Sequence, residues 1–250
     1  MPLLDDLLAG LPDGEVAQVT IGLHWTAVAA RVGRELRCGL ASTLGGAHSH
    51  HNGPDVPQAG RLEQCSGREL AALAGAEQPA LRSVGFAAIN ALLPRHPELW
   101  TDLNAEEAIA AHGAGKTVAL IGHFPFTERL RERVGALHVL EQHPHPGDLL
   151  AGAAPEVLPG ADVVAITGMT LLNGTFEGLR ALCRPEATVL LLGPSAPLSP
   201  VLFHHGVTLV AGTVVEDVDV VLRYVRQGAS FRQVHGSGGV RLVTMARPAR

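Results

Sequence analysis

Thr117-Val-Ala-Leu-Ile-Gly-His-Phe-Pro-Phe126 is the stretch from which the architecture of this chain can be deduced. It begins with a short apolar run, Val118 to Gly122, which is typical of a strand covered on both faces. A turn follows, and a charged, helix-prone segment begins at Thr127. We therefore predict the first strand, turn and helix of a parallel α/β sheet. Ligands of such sheets bind outside the carboxyl ends of the strands, which makes candidate binding residues of Gly122, His123, Phe124 and Pro125.

Apolar runs alternate with helical patterns through the rest of the chain. The apolar runs lie at 118–122, 137–140, 163–167, 189–192 and 207–211, and the helical patterns lie at 127–134, 175–183 and 217–227. This alternation predicts right-handed βαβ crossovers and an open parallel sheet. We assign this α/β domain to residues 95–250.

Residues 1–94 follow a different pattern. Hydrophobic and polar or small residues alternate from Val19 to Trp25, and residues 26–31 and 36–42 continue as two more strands of an antiparallel meander. Ser66 and Glu69 have the spacing of a capping box at a helix start. Residues 81–93 predict a buried helix that contains Asn90. A small α+β domain over residues 1–94 is therefore predicted before the α/β domain.

Composition excludes several classes of protein. The 250 residues carry a net charge of -5 and no Lys/Arg-rich run, which argues against nucleic acid and against an anionic membrane surface as partners. No apolar run approaches the length of roughly 18 residues that a membrane span needs. Three widely spaced cysteines, at 38, 65 and 183, argue against a disulfide framework and indicate a cytoplasmic protein. Surplus apolar residues and a short antiparallel sheet with free edges favour a homodimer.

Small and polar residues collect where the predicted strands end. Because the carboxyl ends of parallel strands meet at one edge, we expect these residues to surround a common ligand site. Glycine and hydroxyl residues there would let a ligand approach backbone amides closely. The alternative is that βα turns need glycine and proline for their own geometry. The candidates after the second, third and fourth strands are Glu141, Thr167, Gly168, Thr170, Asn173, Gly193, Pro194 and Ser195.

Imidazole and carboxylate groups occur close to the same edge. Glu141, His143, His145 and Asp148 lie in one predicted loop, and His123 should face them across the strand ends. Such groups suit a divalent transition metal such as zinc, nickel, cobalt or ferrous iron, so His123 and Glu141 are candidate metal ligands. His48, His50 and His51 form a second cluster without a regular ligand spacing, and simple solvation is the alternative for all these loop histidines. Cys38 is either a soft ligand, a nucleophile or a core residue.

Nucleotide motifs are incomplete. The turn after the first strand is not Gly-x-Gly-x-x-Gly, and Pro125 with two aromatic rings would crowd a pyrophosphate. Gly113-Ala-Gly-Lys-Thr117 precedes its strand, unlike a Walker A loop, and Gly193-Pro-Ser-Ala-Pro197 lacks the second glycine of a nucleophile elbow. Glu141 nevertheless stands where a ribose-binding acid would lie. A nucleoside-bearing cofactor therefore stays open as an alternative.

Several of these motifs, in order, resemble a family of uncharacterised prokaryotic proteins, the "putative heavy-metal chelation" family. The resemblance lies in Gly122 to Phe126, Glu141, Ile166 to Thr175 and Gly193 to Leu198, and in the first half in His24 to Ala27, Cys38 to Ala41 and Asn90-Ala91. It implies a domain like the N-terminal domain of enolase, followed by a Rossmann-like domain, with a ligand cleft between them. Trp25, Thr26 and Asn90 would approach that cleft from the first domain.

The resemblance implies a protein that binds a metal ion or a metal-chelating small metabolite and that acts in heavy-metal handling. His123 and Glu141 would be inner ligands or acid/base groups, whereas Thr167, Thr170, Asn173 and Ser195 would orient the ligand. The alternative is a transferase or oxidoreductase that uses S-adenosylmethionine or NAD. Whether the protein is an enzyme is left open.

Overall fold

The computed structural model describes residues 2–45 and 54–247, and these form an α/β structure with two sheets. His48, His50 and His51 lie outside the described residues. The first sheet is antiparallel with the strand order β1-β2-β3. As predicted, it is a meander, and its strands are β1 (Glu15–Ile21), β2 (Trp25–Val32) and β3 (Glu35–Ser42).

The second sheet has eight strands in the order β4-β11-β10-β9-β8-β5-β6-β7. Strands β5 to β10 run parallel to one another, which confirms the predicted α/β architecture. The strands are β4 (Trp100–Thr101), β5 (Thr117–Ile121), β6 (Ala136–Glu141), β7 (Leu149–Leu150), β8 (Val163–Thr167), β9 (Thr188–Leu192), β10 (Leu209–Val215) and β11 (Val240–Ala246).

Helices connect and cover these strands. In the described residues no helix has both the length and the apolar character needed to cross a membrane. The α-helices are α1 (Leu3–Ala9), α2 (Gly67–Ala72), α3 (Pro79–Leu92), α4 (Ala105–Gly113), α5 (Thr127–Arg131), α6 (Ala154–Val157), α7 (Met169–Leu172), α8 (Phe176–Leu182), α9 (Val201–His204), α10 (Val218–Arg226) and α11 (Phe231–Gly236).

Helix starts follow the local sequence signals. Ser66 and Glu69 form the expected capping box at α2, and the Asn104 side chain accepts a hydrogen bond from the backbone N–H of Glu107 at α4. Each cap satisfies amide groups that the first turn of a helix leaves unpaired. Pro79 opens α3, where its missing N–H costs nothing.

One edge of the large sheet differs from the prediction of an open parallel sheet. Strand β11 pairs antiparallel with β10, and β4, which precedes α4 where no strand was predicted, pairs antiparallel with β11. Val240 lies opposite Val215, so the chain enters β11 at the same end of the sheet at which it leaves β10. The chain therefore does not cross to the other end of the sheet between these two strands, and β11 runs in the direction opposite to β10.

Each sheet packs against a helix from the other half of the chain. One face of the small sheet, with Val28 and Ala30, packs on α3, whereas the opposite face, with Ala27 and Ala29, packs on α10 from the second half of the chain. In return, α1 packs against α9 and places Leu7 in the core of the large sheet. Apolar contacts therefore connect residues from the two sides of the predicted domain boundary between 94 and 95. The boundary itself stays a prediction.

The edges of the small sheet are covered, contrary to the expectation of free edges. On β1, the backbone N–H of Val19 donates to Glu63 Oε1 at 3.0 Å, and Glu15 forms a β-bridge with Ser66. On β3, the Asn90 side chain donates to the Leu40 carbonyl at 2.8 Å. A second chain could not add a strand at these positions, so they give no support to a homodimer. The homodimer remains a prediction.

Candidate functional site

A cavity of about 370 Å³ lies at the carboxyl edge of the large sheet, where β5, β6, β8 and β9 end. The strand register places these ends side by side, because Ile121 pairs with both Leu140 and Ile166, and Thr167 pairs with Leu192. The small sheet closes one side of the cavity. Most of the candidate residues line it, namely Trp25, Gly122, His123, Phe124, Glu141, Thr167, Gly168, Thr170, Asn173, Gly193, Pro194 and Ser195.

Two glycines give the turns at the cavity their shape. Gly122 follows β5 with φ 103°, and Gly193 follows β9 with φ 107°. Residues with a Cβ rarely adopt these positive φ values, so glycine lets each strand end in an abrupt turn at the cavity wall. The preference for glycine here is therefore explained by turn geometry and also leaves the backbone open to a ligand.

Glu141, the last residue of β6, is held by backbone amides. Its Oε2 accepts a hydrogen bond of 2.9 Å from the His123 N–H, and its Oε1 accepts one of 2.7 Å from the Gln142 N–H. The sequence predicted an inner metal ligand or an acid/base group at this position. In the structure the carboxylate already orients the turn after β5, and each oxygen retains one further lone pair for a ligand.

His123 contacts the loop that follows β6. Its Nδ1 lies 2.8 Å from Asp148 Oδ2, and its ring stacks on that of His145 with 4.3 Å between the ring centroids. The Asp148 side chain is only 1% exposed, and its Oδ2 also accepts from the His145 N–H at 3.1 Å. The expected meeting of His123 with the 141–148 loop therefore occurs. His143 is exposed and does not line the cavity.

Protein ligands alone do not form a metal centre here. Among the residues that the structure describes, no group of three or more His, Cys, Asp or Glu side chains is arranged to hold a metal ion. His123 and Glu141 border one cavity, but a stable site for zinc or a similar metal usually has three or four protein ligands. A metal at this place would need additional donor atoms from a bound molecule.

The loop after β8 is braced by its own polar groups. Thr170 Oγ1 donates to the Thr167 carbonyl at 2.7 Å, and Asn173 Oδ1 accepts from both the N–H and the hydroxyl of Thr175. These side chains line the cavity while they fix the short helix α7. Their predicted role in orienting a ligand remains a prediction, because part of their hydrogen-bonding capacity is already used.

Ser195 joins the two sheets. Its Oγ accepts a hydrogen bond of 2.9 Å from the Ser42 N–H and lies 3.1 Å from Ser42 Oγ. The sequence predicted a ligand-binding donor, whereas the structure uses this buried hydroxyl as an acceptor for the last residue of β3. Ser42 itself lines the cavity, and nothing in the pattern of the β3 sequence indicated this.

Trp25 belongs to the cavity wall, but its indole donor is enclosed by protein. The indole Nε1 is buried and has no hydrogen-bond partner among the described residues, while the ring lies 5.4 Å from that of Phe231. A buried indole N–H normally finds a partner, so this donor is an unfavourable feature of the described structure. Of the candidates from the first domain, Trp25 is the one that lines the cavity.

Three candidate residues lie elsewhere. Thr26 follows Trp25 in β2 and therefore points to the opposite face, where it is fully buried and bonds to Thr43 Oγ1. Asn90 is at the junction of the sheets, as expected, but it donates to the carbonyls of Leu40 and Ser195 outside the cavity. Pro125 is exposed at the outer side of its turn.

Sequence reasoning also missed several lining residues. Met169 and Thr175 belong to the loop that the 166–175 motif had singled out, so its intervening positions could have been included. The others are mostly apolar strand ends and neighbours of predicted residues, which carry no distinct signal. The full set of missed residues is Ser42, Ile121, Leu140, Gln142, Ala151, Met169, Thr175, Leu179 and Leu192.

The charge at the cavity is acidic. Of the described lining residues, Glu141 is the one carboxylate, and no lysine or arginine belongs to the set. A cationic or neutral ligand is favoured by this surface, whereas a pyrophosphate would find no cationic side chain. Cys38 lies outside the cavity, and burial raises the pKa of its thiol to about 12, which favours the core alternative over a nucleophile at neutral pH.

Comparisons with known proteins cover nearly the whole chain. A model of the DUF364 family, described as "Putative heavy-metal chelation", matches residues 105–244, and a second model with the same description, DUF4213, matches residues 4–93. An uncharacterised protein of Methanocaldococcus jannaschii is 29% identical over 163 residues, which are 62% of this chain. The chain spans 63% of the length of that relative.

Two solved structures share the fold. A DUF364 protein of unknown function from Desulfitobacterium hafniense has a TM-score of 0.82 and 28% identity, over 98% of both chains. Another protein of unknown function from the same family, from Pyrococcus horikoshii, has a TM-score of 0.80 and 20% identity, over 98% of this chain and 100% of the other. At that lower identity the likeness shows the fold alone.

Proposed function

Because the chain belongs to the DUF364 family, described as "Putative heavy-metal chelation", we propose that its cavity binds a divalent transition metal together with a small chelating metabolite. The observation that carries the proposal is that His123 and Glu141 both line this one cavity, while no group of three or more metal-binding side chains occurs among the described residues. An imidazole and a carboxylate supply too few donors for a closed metal site. A chelating metabolite would complete the coordination.

The remaining cavity residues suit the metabolite better than a bare ion. Apolar residues such as Trp25 and Leu192 line the cavity, which a bare ion would not need, and nothing lies within 4 Å of a Cβ added to Gly193 at the end of β9. The acidic lining favours a complex that retains positive charge. A volume of about 370 Å³ is at the lower end of the range for small-molecule sites.

The test compares free and chelated metal. Protein without a purification tag, with His48, His50 and His51 replaced by alanine to remove their background binding, is titrated calorimetrically with Ni²⁺ and with equimolar Ni²⁺ and free histidine, whose 1:1 complex keeps a positive charge. We expect at least about tenfold tighter binding of the nickel–histidine complex, since it brings its own donors, and a loss of about tenfold or more in His123→Ala. Glu141→Gln removes the carboxylate charge but keeps one acceptor oxygen for the His123 amide.

His138→Ala is the matched control, because His138 is an exposed histidine on β6 outside the cavity. Its affinity for either form of nickel should equal that of the parent. The proposal fails if neither form of nickel binds, or if His123→Ala and His138→Ala bind alike.

A second candidate function is group transfer from S-adenosylmethionine. The acid at the end of β6 and the lack of cationic lining residues favour it over NAD, since the sulfonium cofactor carries no phosphate. Thermal-shift measurements with S-adenosylmethionine, S-adenosylhomocysteine and NAD distinguish the candidates. Stabilisation by the S-adenosyl compounds, with none by the nickel–histidine complex, would replace the chelate proposal by this one.

A further inference from the structure

Asp148 contacts His123 directly and does not itself line the cavity. Its Oδ2 lies 2.8 Å from His123 Nδ1 and accepts a hydrogen bond of 3.1 Å from the His145 N–H. The carboxylate is 1% exposed although it stands in a loop, and its Oδ1 has no hydrogen-bond partner among the described residues. A buried carboxylate in a turn usually serves a specific contact, and its direct side-chain partner here is the imidazole.

A cationic side chain stands beside Asp148. Arg131 Nη2 lies 3.8 Å from Asp148 Oδ1, which is too far for a hydrogen bond but close enough for an attractive charge interaction. Asp148 Oδ2 already accepts a hydrogen bond from the His145 N–H, and if it also accepts one at 2.8 Å from a neutral His123 ring, the ring carries its proton on Nδ1. The other ring nitrogen, Nε2, then holds a lone pair, and no described residue bonds to it.

Two further contacts fix the plane of the imidazole. The His145 ring stacks on it at 4.3 Å, and the backbone N–H of His123 is held by Glu141 at 2.9 Å. Rotation of the ring would break the contact with Asp148. The His123 side chain is 26% exposed and the residue lines the cavity, so Nε2 is the ring nitrogen that stays available once Asp148 occupies Nδ1.

We propose that Asp148 is a positioning residue that holds His123 as the Nδ1–H tautomer, so that Nε2 donates its lone pair to the metal of the bound chelate. A carboxylate behind a metal-binding imidazole fixes the ring and makes it a better donor. The role of Nε2 rests on the proposed function, whereas the tautomer does not. An unconstrained histidine prefers the opposite tautomer, with its proton on Nε2, so the two states are distinguishable.

The first experiment reads the tautomer without any ligand. Protein labelled with ¹⁵N at histidine is studied by long-range ¹H–¹⁵N correlation at a pH at which the imidazoles are neutral, and the His123 signals are assigned by their loss in His123→Ala. We expect protonated Nδ1 and unprotonated Nε2 in the wild type, and the reverse in Asp148→Ala. Glu128→Ala is the control, since Glu128 contacts Arg131 but not the imidazole.

A wild-type spectrum with the proton on Nε2 would overturn the inference, as would an unchanged Nδ1–H tautomer in Asp148→Ala. The wild-type spectrum decides the matter alone if the variant does not fold. The second experiment measures the affinity for the nickel–histidine complex, which should fall about 10- to 100-fold in Asp148→Ala, with partial recovery in Asp148→Asn because the amide oxygen still accepts. Unchanged affinity in Asp148→Ala would refute the functional part. Failure of the wild type to bind would refute the proposed function and leave the tautomer result standing.

Discussion

Glu141 Oε2 accepts a hydrogen bond of 2.9 Å from the backbone N–H of His123, and this contact ties the end of β6 to the turn after β5. The two residues stand eighteen positions apart, at the ends of strands that pair in parallel. The Glu141 carboxylate therefore binds the backbone of His123 directly. Its effect on a ligand follows from the position in which it holds His123.

Replacement of Glu141 by alanine should destabilise the fold by about 1–3 kcal/mol, because the amides of His123 and Gln142 lose their acceptor. Glu141→Gln should cost less, since its amide oxygen still accepts one of these bonds. Urea unfolding at constant pH measures both variants. An alanine variant as stable as the wild type would show that water replaces the carboxylate without penalty.

Loss of the Ser195 hydroxyl should weaken the junction of the two sheets. Ser195→Ala leaves the buried Ser42 N–H without its acceptor and should cost about 1–3 kcal/mol. Ser42→Ala removes only the contact between the two hydroxyls and should cost less. Denaturant unfolding of both variants provides the comparison, and equal losses would contradict this assignment.

Gly39 lies where β3 crosses α3. A Cβ on Gly39 would overlap the Ala87 carbonyl oxygen and the Ala91 nitrogen, both of which belong to the helix backbone and cannot rotate away. Gly39→Ala should therefore cost about 3 kcal/mol or more. Gly10→Ala is the control, because nothing lies within 4 Å of its added Cβ. Thermal unfolding should show a large loss in the first variant only.

The three cysteines should differ in reactivity. Burial raises the pKa of Cys38 to about 12 and also raises that of Cys183, whereas Cys65 is half-buried. Because the thiolate is the reactive form, a thiol reagent at neutral pH should modify Cys65 first in the native protein and all three cysteines in denaturant. Mass spectrometry of digested protein identifies the modified residue. Rapid native labelling of Cys38 would contradict its burial.

Glu106 should contribute a stability that depends on pH. Its hydrogen bond with Arg129 is the main cause that lowers the pKa of Glu106 below the ordinary value of 4.5. A lowered pKa in the folded state stabilises the fold above the unfolded pKa, and this contribution is lost as the pH falls through the folded pKa. Because the arginines are exposed and solvent screens the pairs, Glu106→Gln should cost less than about 1 kcal/mol at neutral pH.

The difference between Glu106→Gln and the wild type should disappear at acid pH, where both side chains are neutral. Glu107→Gln, on the same turn of α4 but exposed, should match the wild type throughout. Unfolding measured across the acid range tests this. A difference that persists below the folded pKa would point to packing instead of charge.

The strands were predictable where burial on both faces left a continuous apolar run. The β5 and β9 runs are fully apolar between turn residues, and burial of Val118 and Val189 explains why. Strand β11 was missed because Arg241 and Thr244 interrupt its apolar residues, so no continuous apolar run follows α11. The covered edges of the small sheet depend on long-range contacts of Glu63 and Asn90, which a local pattern cannot reveal.

The sequence predicted which residues lie close together at the site, but it did not predict which hydrogen bonds each side chain makes. Parallel strands bring His123 and Glu141 to one edge, as the sequence indicated. That a carboxylate accepts backbone amides, or that Ser195 serves the opposite sheet, depends on side-chain rotamers and on tertiary packing. Thr26 is an exception, because strand alternation alone places it on the face opposite Trp25.

The exchange of helices between the halves of the molecule has a consequence for how it comes apart. A break near residue 95 would separate the small sheet from α10 and the large sheet from α1. Ala27 on one fragment and Leu202 on the other would then be exposed to water. Neither fragment could then bury its own hydrophobic surface. The whole chain should consequently melt in a single cooperative transition, and proteolytic halves should rescue each other only when mixed.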